Sequence, residues 1–299
     1  MTLCLRRRPR SAILLTSALL LAIATNYARA GAVLGVDVQD YIILYEGGGT
    51  GHQLSINNFG TIGIWQGDIG IAGSGKLAAS GPGTLNGSID FAAGNSGQAS
   101  ISNTTVNGPM DCASPTFVGT GKACFGMPSV QTIMNNLNNL SSTLGSLAAT
   151  GTALGINTSS TQTVLASSGS AGSINGVNYR LFNVTSVSSN NGQNLIIKGD
   201  ASSTVVLDVN TPGDAQFHGN VLLQDMSGKF FGDTGYAGLS PDQVLFNLYA
   251  GSGLTGGDKL DVNNNGNDAH PANIIYGDFL DPNGAVSFVN TRFVGRIFG

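Results

Sequence analysis

Gly67-Asp68-Ile69 opens a stretch that returns as Gly87-Ser88-Ile89 and again as Gly108-Pro109-Met110, at spacings of 20 and 21 residues. Further along, Gly199-Asp200-Ala201 and Gly219-Asn220-Val221 are 20 apart, and Gly277-Asp278-Phe279 and Gly295-Arg296-Ile297 are 18 apart. A period near ~20 residues suits one turn of a parallel β-helix, in which each turn buries its inward side chains on the next. Glycine supplies the positive-φ corners, and asparagine tolerates them. Between the corners, short apolar runs broken by Gly and Asn describe a many-stranded β chain. With 44 glycines in 299 residues, long helices are not expected.

One segment departs from that pattern. From Val130, apolar residues fall at Ile133, Met134, Leu137, Leu140, Leu144 and Leu147, the spacing of one helical face. Ser129 stands as an N-cap after Pro128, and Gly151 lies just past the end. The pattern predicts a helix over about 130–148 with its leucine face on the β core. Its polar face carries no Lys or Arg, which argues against a membrane-surface helix. The expected class is therefore all-β: a right-handed parallel β-helix (solenoid) with one flanking α-helix. Thr158–Ser173, rich in Ser, Thr and Gly, is expected to join halves 31–157 and 174–299 of a single domain, 31–299.

Residues 1–30 read as an export signal. Arg6, Arg7, Arg8 and Arg10 precede the apolar run from Ala12 to Ala24, and Ala28-Arg29-Ala30 supplies a small-x-small cleavage pattern before Gly31. The run is short of the ~20 residues needed to span a bilayer, and no later segment reaches that length. Arg6-Arg7 lacks the Ser-Arg-Arg context of the twin-arginine route, so the general secretory route is expected, with the protein secreted or at the cell surface.

Cleavage changes the charge balance. It removes five of the 13 basic residues and none of the 17 acidic ones, leaving 8 against 17, a net charge of −9. A nucleic-acid partner, which needs clustered Lys and Arg, is excluded on that sign. Cys4 leaves with the signal, and Cys112 and Cys124 remain. In an oxidising compartment these two are expected to form one disulfide closing a small loop that holds Pro115, Gly119 and Gly121.

Motifs that carry chemistry are sparse. His52, His218 and His270 lie far apart, and no metalloprotease helix, nucleophile elbow, Walker loop or dinucleotide fingerprint is present. Gly47-Gly48-Gly49-Thr50-Gly51 lacks the Lys-Ser/Thr that would hold phosphate, and reads as a corner. Asp200, Asp208, Asp214, Asp225, Asp233, Asp278 and Asp281 could supply a glycosidase pair. Basic residues are scarce around them, however, and Trp65 is the single Trp. No enzyme activity and no cofactor are expected. The strongest metal signal is Asp261, Asn263 and Asn265 with Gly266, matching positions 1, 3, 5 and 6 of a Ca²⁺ loop. Ala272 stands where that loop would place its bidentate Glu.

The C-terminal third is the most specific part. Val244-Leu245-Phe246-Asn247-Leu248, then Gly277-Asp278-Phe279-Leu280-Asp281-Pro282-Asn283-Gly284-Ala285-Val286, then Gly295-Arg296-Ile297-Phe298-Gly299 follow in order. This resembles the choice-of-anchor A domain, an adhesive right-handed β-helix of bacterial surface proteins, whose strands read VLYNF, G-x-x-LAPNA-x-V and a closing glycine-flanked apolar pair. Gly199–Val209 is similar to the preceding strand pair of that family, and Tyr41–Leu44 with Gly67–Gly70 to its opening. Asp281 departs from the family's Ala. The family also carries a sorting signal beyond the domain, which this sequence, ending at Gly299, does not show; the expectation is release from the cell or a longer natural chain.

The N-terminal half also resembles the ice-binding β-solenoid family through Gly67-Asp68-Ile69 and Gly81-Pro82-Gly83-Thr84-Leu85-Asn86-Gly87-Ser88-Ile89. That family too sets a helix beside the solenoid, but the regular Thr-x-Thr ladder suited to ice is absent from this sequence. The leading expectation is an exported, non-catalytic, adhesin-like or matrix-associated module binding extracellular glycan or protein. Ice binding ranks second, and a polysaccharide-acting enzyme third.

Overall fold

The computed structural model describes residues 33–35, 38, 40–47, 53–57, 64–95, 99–108, 110–111, 128–158, 160–189, 193–211, 215–249, 259–263, 274–282, 285–289 and 292–299. Residues 1–30, expected to be an export signal, and Cys112, Cys124 and Asn265 lie outside them. Among the described residues the architecture is mostly parallel β-sheet with a single α-helix, α1 (Pro128–Leu147). Three sheets hold the strands, with fourteen, five and four members. The one antiparallel ladder between named strands is the hairpin of Ser170–Ile174 with Val177–Ser189.

Some ladders pair residues roughly one sequence repeat apart, as Leu85 with Val106 and Ile275 with Phe293, while others are wider, as Val206 with Leu245 and Val221 with Ile275. Ile69 pairs with Ile89 and Ile89 with Met110, so the three N-terminal Gly corners are ladder neighbours. Phe279 pairs with Ile297, which aligns Gly277 with Gly295 in the same way. The Gly199/Gly219 repeat is not a register: Val221 pairs with Leu195 instead. The ladder there stacks Leu195, Ile196 and Ile197 on Val221, Leu222 and Leu223, all of them buried apolar side chains.

The corner glycines have a steric reason. A Cβ on Gly87 would lie 2.0 Å from the Gly67 carbonyl oxygen, and one on Gly108 2.1 Å from that of Gly87. Backbone sits directly on backbone there. The aspartate that follows the corner binds across to the next one. Ser88 N–H donates to Asp68 Oδ1 at 2.6 Å, and Arg296 N–H to Asp278 Oδ1 at 2.8 Å.

Strand order in the large sheet differs from chain order. Ile297–Phe298 lies between Asp278–Leu280 and Tyr41–Gly47, so the last strand pairs with the first. Gly299 O accepts from Glu46 N–H at 2.7 Å, and Gly299 N–H donates to Leu44 O at 2.9 Å. Beyond Tyr41–Gly47 the sheet continues through Asp68–Gly73, Ile89–Phe91 and Met110–Asp111. Helix α1 touches Asp68–Gly73 and Tyr41–Gly47 on one side of the chain-end pair and Val244–Asn247 on the other. Its 20 residues span ~30 Å, against ~19 Å for the four inter-strand steps it crosses.

Alternation along the central strands separates two cores. Val205, Leu207, Val244, Phe246 and Phe279 face inward, where Phe246 and Phe279 are stacked at 4.5 Å and Phe217 meets both edge-on. Leu44, Val206, Leu245, Leu280 and Phe298 face the helix, against Val130, Met134, Leu137 and Leu144. The predicted amphipathic face is thus the one that packs. The Ser/Thr/Gly-rich stretch expected as a connection carries the strands Gln162–Leu165 and Ser170–Ile174, with short polar side chains such as Thr163 and Ser173 left exposed.

Gly145 makes the helix–sheet approach testable. Ala is normally the better helix former by ~1 kcal/mol. Here an added Cβ would meet the Tyr249 ring at 2.0 Å. Gly145→Ala is expected to lower stability by about 1–3 kcal/mol in urea melts, and an increase would contradict this packing.

Candidate functional site

The sheet built from Gln53–Asn57, Ile64–Gln66, Lys76–Asn86 and Ala99–Val106 presents a regular outer face. Its inward side chains form an apolar core of Ile56, Leu77, Ala79, Leu85 and Ala99. The residues between them point the other way. Ser55, Ala78 and Ser100 are in register across three strands, as are Asn57, Ser80 and Ser102. A register shift between Ser80 and Gly83 starts a second set, in which Thr84 pairs with Thr105 and Gln66 with Asn86. Asn107 extends the last row, donating from Nδ2 to Asn86 Oδ1 at 2.6 Å.

Ser55, Gln66, Asn86, Ser100, Ser102, Thr105 and Asn107 are exposed, and Ala78, Ser80 and Thr84 half-buried. The face is therefore a lattice of hydroxyls, carboxamides and a methyl, with steps of ~4.8 Å across strands and ~6.8 Å along them. Lys76 contributes a charge only at one margin. Short side chains on a laddered backbone have little freedom left to lose, so each contact to an extended ligand forms at low entropic cost. The rows offer donors and acceptors, but no nucleophile–base pair.

Among the described residues the carboxylates do not assemble into one site. Each is engaged separately. Asp208, fully buried, accepts from Asn247 Nδ2 at 2.7 Å; Asn247 in turn meets helix α1 through Ser141 Oγ (2.6 Å) and Ser141 O (3.1 Å). Burial raises Asp208 to about 6, partly opposed by the Asn247 bond. The phenols of Tyr179 and Tyr249 are raised first by burial and then by the Asp208 charge. Burial raises Asp278 to about 7 against the pull of Arg296, whose Nη1 lies 3.6 Å from Oδ2.

Asp225 behaves in the opposite way. The Ser227 hydroxyl, with the N–H groups of Lys229 and Ala237, outweighs burial and holds it down to about 2. Asp200 is lowered first by the Ser202 hydroxyl. Asp233 accepts from Phe230 N–H in the same loop as Asp225. Asp281 is buried beside the closing strand, its N–H donating to Phe298 O at 2.7 Å. Asp214, His52 and His270 lie outside the described residues. His218 N–H donates to Ser189 O.

Of the calcium candidates, Asp261 and Asn263 lie in the strand Lys259–Asn263, in register with Ser287 and Val289. No group of three His, Cys, Asp or Glu able to hold a metal occurs among the described residues. Among the same residues no helix is long and apolar enough to cross a membrane. The outward rows escaped sequence reading because the residue type changes from row to row and, as at Ser55, Ala78 and Ser100, within a row. The usable signal was the 21-residue offset, which brings Thr84 to Thr105 directly and Ser80 to Ser102 only once the register shift is allowed for. No family model, curated protein or solved structure matches this chain.

These titrations fix a pH profile. Asp208 and Asp278 retain a proton in the fold at pH values where the unfolded chain, titrating near 3.8, has lost it. Their contribution is full below about pH 4 and is lost as pH rises through about 6 and about 7. Asp225 and Asp200 contribute above about pH 4, and the Asp225 share is lost as pH falls through about 2. Thermal stability is expected to peak near pH 4–5. Asp208→Asn should flatten the decline toward pH 7.5, a limb worth about 3 kcal/mol for this group. A melting temperature that climbs steadily from pH 4 to pH 7.5 would contradict the assignment.

Proposed function

We propose that the chain is an exported, non-catalytic binding module, and that the registered outer face of Ser55, Ala78, Ser100, Thr84, Thr105, Asn86 and Asn107 is its ligand surface. In this reading residues 31–299 form one right-handed β-solenoid, with the three sheets as its sides and α1 along a flank. Support comes from the parallel ladders at near-repeat offsets and from the strong right-handed preference of parallel β crossovers. Residues 1–30 are its export signal, and Cys112 and Cys124 close one loop after export.

The single observation that carries the function is the in-register, exposed, nearly uncharged polar face. Such a face binds by many weak hydrogen bonds to a repetitive surface, with extracellular glycan first in rank. Similarity to the adhesive choice-of-anchor A domain points the same way. A glycan array probed with wild type, Ala78→Arg and Ser100→Arg tests it. Both variants keep the inward core and should lose at least about tenfold in retention. Retention unchanged in both would overturn the reading.

A second reading, ice binding, is favoured by the smallness of these side chains and the fixed spacing of their rows. Thermal hysteresis at micromolar protein, abolished by the same two variants, would put it first. Alkylation before and after reduction of the exported protein checks the cysteine pair; two thiols free before reduction would remove the disulfide.

A further inference from the structure

The large sheet has an end at which strand Thr152–Thr158 pairs on one side only, with Val177–Ser189, among the described residues. An open parallel edge is a template for another strand. A residue of an added parallel strand would donate its N–H to one edge carbonyl and accept from the N–H two residues further on. Gln162 makes that pair of bonds with its side chain. Its Nε2 donates to Gly155 O at 2.8 Å, and its Oε1 accepts from Asn157 N–H at 3.2 Å. Gly155 and Asn157 are two residues apart on the edge, so the carboxamide stands where one residue of a further strand would stand.

The surroundings show why a block would matter. The adjoining edge strand, Gln162–Leu165, leaves Leu165 38% exposed, one of two large apolar side chains so exposed among the described residues. An edge with free hydrogen-bonding groups beside an apolar side chain would gain by taking on another chain. A parallel contact with a different edge of a second copy would be head-to-tail, which grows into larger assemblies, open-ended unless the rotation closes a ring. We propose that Gln162 is an edge plug, whose carboxamide occupies the Gly155–Asn157 edge and so prevents a second copy of this chain from adding its strand there. The proposal rests on ladder geometry alone and is independent of the ligand reading.

The test compares the wild-type chain with Gln162→Ala by light scattering after size exclusion over a range of protein concentration, and by hydrogen exchange at the Asn157 amide. Thermal melts establish that the variant is folded. In dilute solution, exchange at Asn157 should be at least about tenfold faster in the variant than in the wild type. As concentration rises, the variant should form species of increasing mass, with Asn157 protected again, while the wild type does not change. A variant that keeps the wild-type mass at every concentration, or an Asn157 amide that exchanges equally in both, overturns the proposal. Should Gln162→Ala fail to fold, Gln162→Met serves the same comparison. It keeps the length of the side chain and loses both the acceptor for Asn157 and the donor to Gly155, and the same two outcomes decide.

Discussion

The parallel pairing of Ile297–Phe298 with Tyr41–Gly47 is the contact on which the rest of the molecule depends. It joins the strands of residues 41–111 to those of residues 152–298 within one sheet. Its partners are separated by nearly the whole chain, so it is bought with a large loop-closure entropy. Helix α1 lies across this junction. Gln131 and Asn138 bind Glu46 on one side, and Ser141 binds Asn247 on the other. Together with the apolar cluster beneath, these bonds make the helix a splint between the two sets of strands.

Close approach is the second constraint. The corners bring carbonyls of one strand onto the α-carbons of the next, as at Gly87 and Gly108, and the helix admits the Tyr249 ring against Gly145. Small residues are therefore required at these positions, while the core between them is filled by large ones, Phe217, Phe246 and Phe279. Two carboxylates carried into the interior are each held through one oxygen, Asp208 Oδ1 by Asn247 and Asp278 Oδ1 by the Arg296 N–H, while the second oxygen of each makes no hydrogen bond. Their cost appears as raised carboxyl pKa values rather than as catalytic geometry.

Much of the local structure was legible. The leucine spacing of Val130–Leu147 marked the helix, since a 3.6-residue period has no other reading at that length. The Gly corners at 67, 87 and 108, and at 277 and 295, marked ladder neighbours because backbone contact there excludes a Cβ. The Gly199/Gly219 match misled, because the ladder around Leu195 and Val221 is aligned by buried apolar side chains instead. The outward rows were not legible from residue type. Serine, alanine and threonine are interchangeable on an exposed face, so Ser55, Ala78 and Ser100 share a row without sharing an identity.

By itself the sequence determined the acidic balance, the strand-rich composition, the position of the helix and which of the corners at 67, 87, 108, 277 and 295 repeat. These follow from charge, periodicity and backbone sterics, all local properties. Only the tertiary structure decided that the last strand pairs with the first, that Ser141, Asn247 and Asp208 form one buried chain of hydrogen bonds, and that Gln162 covers an edge. Those contacts join residues whose separations carry no periodic signal. They form because every backbone N–H and C=O removed from water must find a partner, whatever its distance along the chain.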